Sequence, residues 1–290
     1  MSRRTRRRRD RARDALAAVP PSVSAGALAA GAGLAAWAGW IEPRRLVVRD
    51  VELAVPNWPA SLSGLRAGVM SDLHAGVPHA GLDKIARAVD ALNAREPDIH
   101  LLLGDYLDSS QKLARKLAPE AVAAQLARLH APLGTVAVIG NHDWRNSGDR
   151  MWRALEAEGI TVLEDRAVKV GAFWVAGLGD MRHRMPNVVH ALRDVPVGEP
   201  VIVLSHDPDL FPRIPDRVAL TLSGHTHGGQ VAIPVLRRPL MPSHYGERYA
   251  RGHIVEHGRH LLVTSGVGTS GLPIRFLAPP EVLNLTLRNL

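Results

Sequence analysis

Five short stretches of this 290-residue chain carry side chains that bind divalent cations without any sulfur. They read MSDLH (70–74), LLGDYLD (102–108), VIGNHDW (138–144), VIVLSHDPD (201–209) and LTLSGHTH (220–227). Carboxylate, amide oxygen and imidazole suit Mn, Fe, Zn or Mg. The chain has no cysteine, so thiolate sites, disulfides and cysteine nucleophiles are excluded. Seven such groups exceed what one ion needs, whereas two ions about 3.5 to 4 Å apart, sharing a carboxylate, use them all. Taken singly, each stretch is ordinary: a Gly-Asp marks a turn, and a histidine beside an apolar run is a hydrogen-bonded core residue. Five in series, each closing a strand-like run, call for one common centre.

The elements that must position these groups are legible in the hydrophobic pattern. Residues 65–70, 99–103 and 135–139 read as strands, and 82–94 and 119–131 as amphipathic helices. That alternation predicts βαβ units and a largely parallel sheet flanked by helices. Ligands of such sheets bind beyond the carboxyl ends of the strands, where the donor stretches fall. The second half is richer in strands, with 161–178, 201–205, 218–222, 230–233, 261–264 and 281–287 expected to form a second sheet. Residues two apart in an extended chain project to one side, so Asp72 with His74, and His225 with His227, are each expected to present a pair. Gly224, Gly228 and Gly229 let the backbone turn tightly beside them.

The order Asp-x-His, Gly-Asp-x-x-Asp, Gly-Asn-His-Asp, His, Gly-His-x-His resembles the calcineurin-like metallophosphoesterase superfamily, over roughly residues 64–290. The resemblance implies an α/β four-layer sandwich, two mixed β-sheets flanked by helices. It also implies two divalent metal ions: Asp72, His74 and His227 on one, Asn141, His206 and His225 on the other, Asp105 bridging. His142 would touch the phosphate and act as general acid toward the leaving oxygen. Two dications would lower the pKa of a bound water and neutralise phosphoryl charge, so that metal-bound hydroxide attacks in line. Asp143 is a candidate to orient His142 or a neighbouring ligand, and Asp108 to support the ligand shell. Departures from sister patterns exclude two branches. Ser109 and Ser110 stand where protein Ser/Thr phosphatases follow the motif with an arginine, and Asp108 where purple acid phosphatases use a tyrosine ligand.

SHDPDLFP, SGHTHGGQV, YGERYARGHI and VTSGVGTSGLPIRFLAPPEV are similar to a branch of bacterial membrane-associated or exported phosphoesterases. A phosphodiester or phosphomonoester in lipid or cell wall is the expected substrate. Some relatives in that branch cleave the pyrophosphate of nucleotide-linked acyl sugars at the cytoplasmic face, and a non-catalytic membrane-tethered binding domain is a further alternative. Of the other histidines, only His183, with Arg182 and Arg184, is a candidate for the substrate side; His253, His257 and His260 are expected on the surface of a hairpin.

Eight of the first fourteen residues are arginine against two aspartates, which supplies six of the chain's eight net positive charges. The body is therefore nearly neutral, and no specific nucleic-acid binding is expected. Val23 to Ile41 then runs nineteen residues without a charge, about the length of a bilayer-crossing helix. The expected organisation is an Arg-rich tail (1–22), a transmembrane anchor or cleaved signal segment (23–41), a linker with a first strand (42–63) and the phosphoesterase domain (64–290). Cations before the apolar run hold that end in the cytoplasm, which places the body on the extracytoplasmic face of a bacterial membrane. AWA (36–38) is the small-x-small form of an export cleavage site.

Overall fold

A computed structural model describes residues 21–108, 111, 113–233 and 241–290. The Arg-rich tail, Ser109 and Ser110 lie outside them. The Ala/Gly-rich segment forms a helix, α1 (Pro21–Ala36), which continues as a π-turn over Trp37–Ile41. Among the described residues no helix is long and apolar enough to cross a membrane. The nineteen-residue span expected from the sequence is instead a sixteen-residue α-helix whose register changes at Trp37.

Twelve strands follow, in two six-stranded mixed sheets. They are β1 (Val47–Val55), β2 (Arg66–Met70), β3 (Ile99–Leu102), β4 (Thr135–Ala137), β5 (Thr161–Val162), β6 (Arg166–Val170), β7 (Phe173–Gly177), β8 (Val201–Leu204), β9 (Leu220–Ser223), β10 (Gly252–Glu256), β11 (Arg259–Val263) and β12 (Glu281–Asn289). The first sheet runs β1-β12-β2-β3-β4-β5 and the second β10-β11-β9-β8-β7-β6. In the first, β2 to β5 are parallel; in the second, β7, β8, β9 and β11 are parallel.

Three expectations are corrected. Of residues 161–178, expected in the second sheet, Thr161–Val162 forms β5 at the edge of the first, parallel to β4. Residues 281–287 were assigned to the second sheet by order along the chain, but β12 inserts between β1 and β2 of the first, parallel to one and antiparallel to the other. Its partner β1 buries only alternate residues at its far end, which gave a weak strand signal. The expected strand at 230–233 is a single bridge, Val231 to Phe276, because Gln230 turns the chain at φ +55°.

The side-chain period of two divides each strand between layers. Val69, Leu101 and Leu204 face the space between the sheets, while Met70 and Leu102 face the helices. Those helices are α2 (Leu82–Asn93), α3 (Pro119–Leu126, shorter than the pattern implied) and α4 (Asn141–Ala157). In α2, Ile85, Ala88, Val89 and Leu92 form one buried stripe at helical spacing. The outer face of the second sheet packs against short helical segments, among them α5 (Val188–Ala191), with Leu192, Leu210, Phe211 and Tyr249. Helices, sheet, sheet and helices are the four layers anticipated from the resemblance.

Candidate active site

The carboxyl ends of β2, β3, β4, β8 and β9 all deliver their following residues to one edge of the sandwich. The chain leaves each strand abruptly. Asp72, His74, Asp105, His225 and His227 have φ between +45° and +68°, a region that costs a non-glycine residue about 1–3 kcal/mol. The paired projection of Asp72 with His74, and of His225 with His227, therefore does not come from extended chain, as the spacing implied. Left-handed residues alternate with ordinary ones, and each left-handed step turns a donor inward. Backbone ties hold the turns: Asp72 N donates to Gly104 O at 2.9 Å, and His74 N to Asp105 O at 3.0 Å. Neighbouring glycines keep the space open. A Cβ on Gly224 would run into Ser71 Oγ and Asp72 Oδ2, and one on Gly140 into Asp105.

Every donor anticipated from the sequence reaches this edge, and all are buried. Asp72, His74 and His227 form one group and Asp105, His206 and His225 another. His227 Nε2 lies 3.0 Å from His74 Nε2 and 3.5 Å from Asp72 Oδ1. In the second group His225 Nδ1 lies 3.2 Å from His206 Nε2, and Asn141 Oδ1 also stands 3.2 Å from that nitrogen. Between the groups, Asp105 Oδ2 is 3.5 Å from His74 Nε2 and 3.1 Å from His206 Nε2. Its Oδ1 accepts from the backbone N–H of His142 at 2.8 Å.

The arrangement fits cations. Twice, two imidazole nitrogens aim at each other, and each such pair can share only one proton, whereas a cation between them satisfies both. Tautomers agree for two rings. His74 Nδ1 faces Asp108 Oδ2 at 3.2 Å and His206 Nδ1 faces the Leu103 carbonyl at 2.7 Å. Each acceptor draws the proton to the far nitrogen and leaves the inward one free. His225 and His227 differ: His225 Nε2 lies between the Pro242 carbonyl at 3.2 Å and Arg182 Nη2 at 3.1 Å, and His227 Nδ1 faces Arg275 Nη2 at 3.3 Å, guanidinium groups that donate and cannot accept.

A cavity of about 330 Å³ opens over these groups, lined by Asp105, Asn141, His142, His225 and His227, with Arg145 and Arg182. The calcineurin-like phosphoesterase family model matches residues 65–229, more than half the chain and all five donor stretches.

The chain is a calcineurin-like phosphoesterase.

The phosphoesterase is 30% identical over 275 residues to the uncharacterised metallophosphoesterase YkuE of Bacillus subtilis, covering 92% of this chain and 94% of that protein. It is 32% identical over 266 residues to a transmembrane protein with metallophosphoesterase domain of Danio rerio, covering 85% of this chain and 58% of that one. Similarity at 28% identity extends over 306 residues to the UDP-2,3-diacylglucosamine pyrophosphatase LpxG of Chlamydia trachomatis, 85% of this chain and 90% of that one.

Asp108 stands between two imidazoles of this phosphoesterase. Besides its contact with His74, its Oδ1 lies 3.2 Å from His142 Nδ1. His142 Nε2 faces the cavity, 3.4 Å from Ser270 Oγ. Asp143 does not orient His142. It accepts from the N–H groups of Tyr106, Leu107 and Gly140 at 2.8, 3.0 and 3.0 Å, which fixes the loop that carries Asp105. Burial and the nearby Asp105 charge push Asp143 up to about 7, against the N–H donors of Leu107 and Gly140. Asp108→Asn is expected to lower turnover about 10- to 100-fold. It should also shift the pH profile, since the carboxylate charge 3.2 Å from His74 Nδ1 and His142 Nδ1 is gone; an unaltered profile would remove Asp108 from this role.

Charge balance inside the ion-free site has a consequence for binding. Burial disfavours the His74 cation, but Asp108, Asp72 and Asp105 outweigh it and raise the ring to about 10. His206 is also raised well above its ordinary value, its burial outweighed by Asp105 and Asp72. Burial holds His225 down, to about 3, and His227 well below its usual range. The carboxylates thus favour extra protons on His74 and His206 in the ion-free site. The contribution of these protons is complete at low pH and is lost only as pH rises through the raised values. A divalent ion must displace them, so its affinity is expected to rise with pH, and binding to release protons. Calorimetry in two buffers of different ionisation enthalpy checks this; equal heats would contradict it.

Three residues at or behind the cavity wall were not legible in the sequence. Arg145 follows Gly-Asn-His-Asp by two positions, on the first turn and a half of α4, and its proximity to the motif was the available signal. Ser270 and Arg275 gave none. Arg275 is fully buried and donates to the carbonyls of Ser265, Gly268 and Ala278 at 2.7, 2.6 and 2.8 Å, shaping the loop behind His227. Of the triplet considered for the substrate side, Arg182 alone lines the cavity; His183 turns to Asp180 at 2.9 Å, and Arg184 stacks on Trp144.

Proposed function

We propose that this calcineurin-like dimetal phosphoesterase hydrolyses a phosphodiester or phosphomonoester of lipid or cell envelope, with Asp72, His74 and His227 on one ion, Asn141, His206 and His225 on the other, and Asp105 bridging. The observation that carries this reading is the placement of Asp105 Oδ2 within 3.5 Å of one imidazole group and 3.1 Å of the other. Divalent ions held there would supply an activated water and neutralise phosphoryl charge.

The chain's own groups do the rest. With its Nδ1 3.2 Å from Asp108 Oδ1, His142 turns Nε2 to the cavity, and as the imidazolium, protonated on both nitrogens, it would give the Nε2 proton to the leaving oxygen. Arg182 and Arg145 supply guanidinium donors on the cavity wall for the phosphoryl oxygens. His225 N–H holds Asp72 at 3.0 Å, so that the turn bearing the two histidines and the carboxylate move as one unit.

A pyrophosphate substrate is the second reading. Arg145 and Asp108 also line an adjoining cleft with Lys116 and Arg150, where a second phosphoryl group would meet positive charge. The similarity to LpxG points the same way. Expected membrane attachment rests on the uncharged run 23–41 and the transmembrane relative. The test is a panel assay of the Mn-loaded chain on phosphomonoesters, phosphodiesters and nucleotide-sugar pyrophosphates. Preference for the simple esters supports the first reading, preference for the pyrophosphates the second, and turnover of none contradicts both.

A further inference from the structure

From Pro21 to Ile41 no residue ionises, and every side chain from Gly26 to Trp37 is exposed. No part of the described fold covers this helix, although Leu28 and Leu34 are 75% and 56% exposed. Its foot, in contrast, is firmly tied. Arg275 N donates to Ala38 O at 2.9 Å, and Glu42 accepts from Ala278 N at 2.8 Å and from Trp37 Nε1 at 2.7 Å. Lys84 Nζ joins Pro43 O to Val267 O at 2.6 and 2.8 Å. All of these partners except Lys84 and the foot itself belong to one loop, residues 267–278.

That loop is also the rim of the cavity, through Ser270, Leu272 and Ile274. Ile274 precedes Arg275, so rim and helix foot are one residue apart, about 3.8 Å of chain. Apolar side chains face outward around this point: Trp40, Leu272, Leu277 and Leu113 are 64%, 60%, 60% and 74% exposed. Leu277 holds φ +60°, an outlier for a bulky residue. Cations are interleaved. The Arg44 guanidinium lies 3.3 Å over the Trp40 ring, and Arg44, Arg115 and Leu113 line one cleft.

We propose that the helix foot and the 270–278 rim dock on an anionic bilayer surface, so that the active-site cavity opens at the membrane. The order of chemistry along the molecule argues for lipid over a protein partner. An uncharged helix extends outward, tryptophan and arginine ring its base, and the polar body lies behind, which matches the succession of hydrocarbon, headgroup and water. In the sequence the far end of the apolar run carries eight arginines, so cations bracket it on both sides. If the hydrolytic reading above also holds, a membrane-held ester reaches the cavity without leaving its leaflet; the docking itself does not depend on that reading.

The absence of cysteine makes single labelling direct. Full-length Leu277→Cys and, independently, Leu113→Cys would carry an environment-sensitive nitrobenzoxadiazole label. Val197→Cys, 94% exposed and preceding β8 at the end of the strands away from the site, serves as control. With vesicles of phosphatidylcholine and phosphatidylglycerol, the labels at 277 and 113 are expected to shift to the blue. They should lose most of their emission when the lipid chains are brominated, while the label at 197 does neither. Failure of the chain to float with the vesicles would overturn the proposal. So would flotation with silent labels at 277 and 113, which would mean that the helix binds alone and the rim stays in water. Hydrolysis of a soluble bis-aryl phosphodiester by the same proteins reads the catalytic proposal separately: docking without turnover sinks that reading and leaves this one.

Discussion

His142→Ala is expected to lower turnover of a bis-aryl phosphodiester by about 10²–10⁴-fold while bound metal stays at the parent level, because a positioned proton donor is lost and no donor to an ion is removed. His142 Nε2 faces the cavity, while its Nδ1 faces Asp108 and its backbone N–H is bound to Asp105. The alanine variant keeps the backbone bond, so the Asp105 carboxylate retains its orientation. The loss should fall on kcat and deepen as the leaving group becomes more basic, since an alkoxide needs the proton more than a nitrophenolate does. A merely structural histidine would show no such dependence. Unchanged turnover across the leaving-group series would remove His142 from the mechanism.

Asp105→Asn is expected to strip the site of at least one ion and to reduce turnover by more than the roughly 10- to 100-fold that changes to outer partners cause. The amide keeps an oxygen that can accept from His142 N–H. It loses the negative charge that stands 3.5 and 3.1 Å from His74 and His206. Elemental analysis of the purified variant checks this. Full metal occupancy at parent affinity would show that the carboxylate does not hold the two groups together.

The chemistry of the site was more legible than its geometry. The types of Asp72, His74, Asp105, Asn141, His206, His225 and His227, and their positions after strand-like runs, were enough to anticipate that they meet. How they meet was not, because the spacing Asp-x-His is the same in extended chain and in a left-handed turn, and the φ of +52° and +45° at Asp72 and His74 is set by tertiary ties to Gly104 and Asp105. The same limit explains β12. Val282, Leu283, Leu285 and Leu287 declare that β12 is buried, but which sheet receives it depends on β1, whose burial alternates weakly. Asp108 was recognisable as a supporting carboxylate, whereas its contact with both His74 and His142 needed three segments folded together. Arg275 was silent in the sequence, since a buried arginine in a Gly/Pro-rich loop is indistinguishable from an exposed one until its carbonyl partners are placed.

The most direct test is a titration of the chelator-treated chain with Mn, following bound ions per chain and phosphodiester hydrolysis together. Two ions per chain, with hydrolysis reaching its maximum only as the second binds, is the expected result. A folded chain that saturates with one ion or none, or that hydrolyses the diester equally well in chelator, would contradict the account.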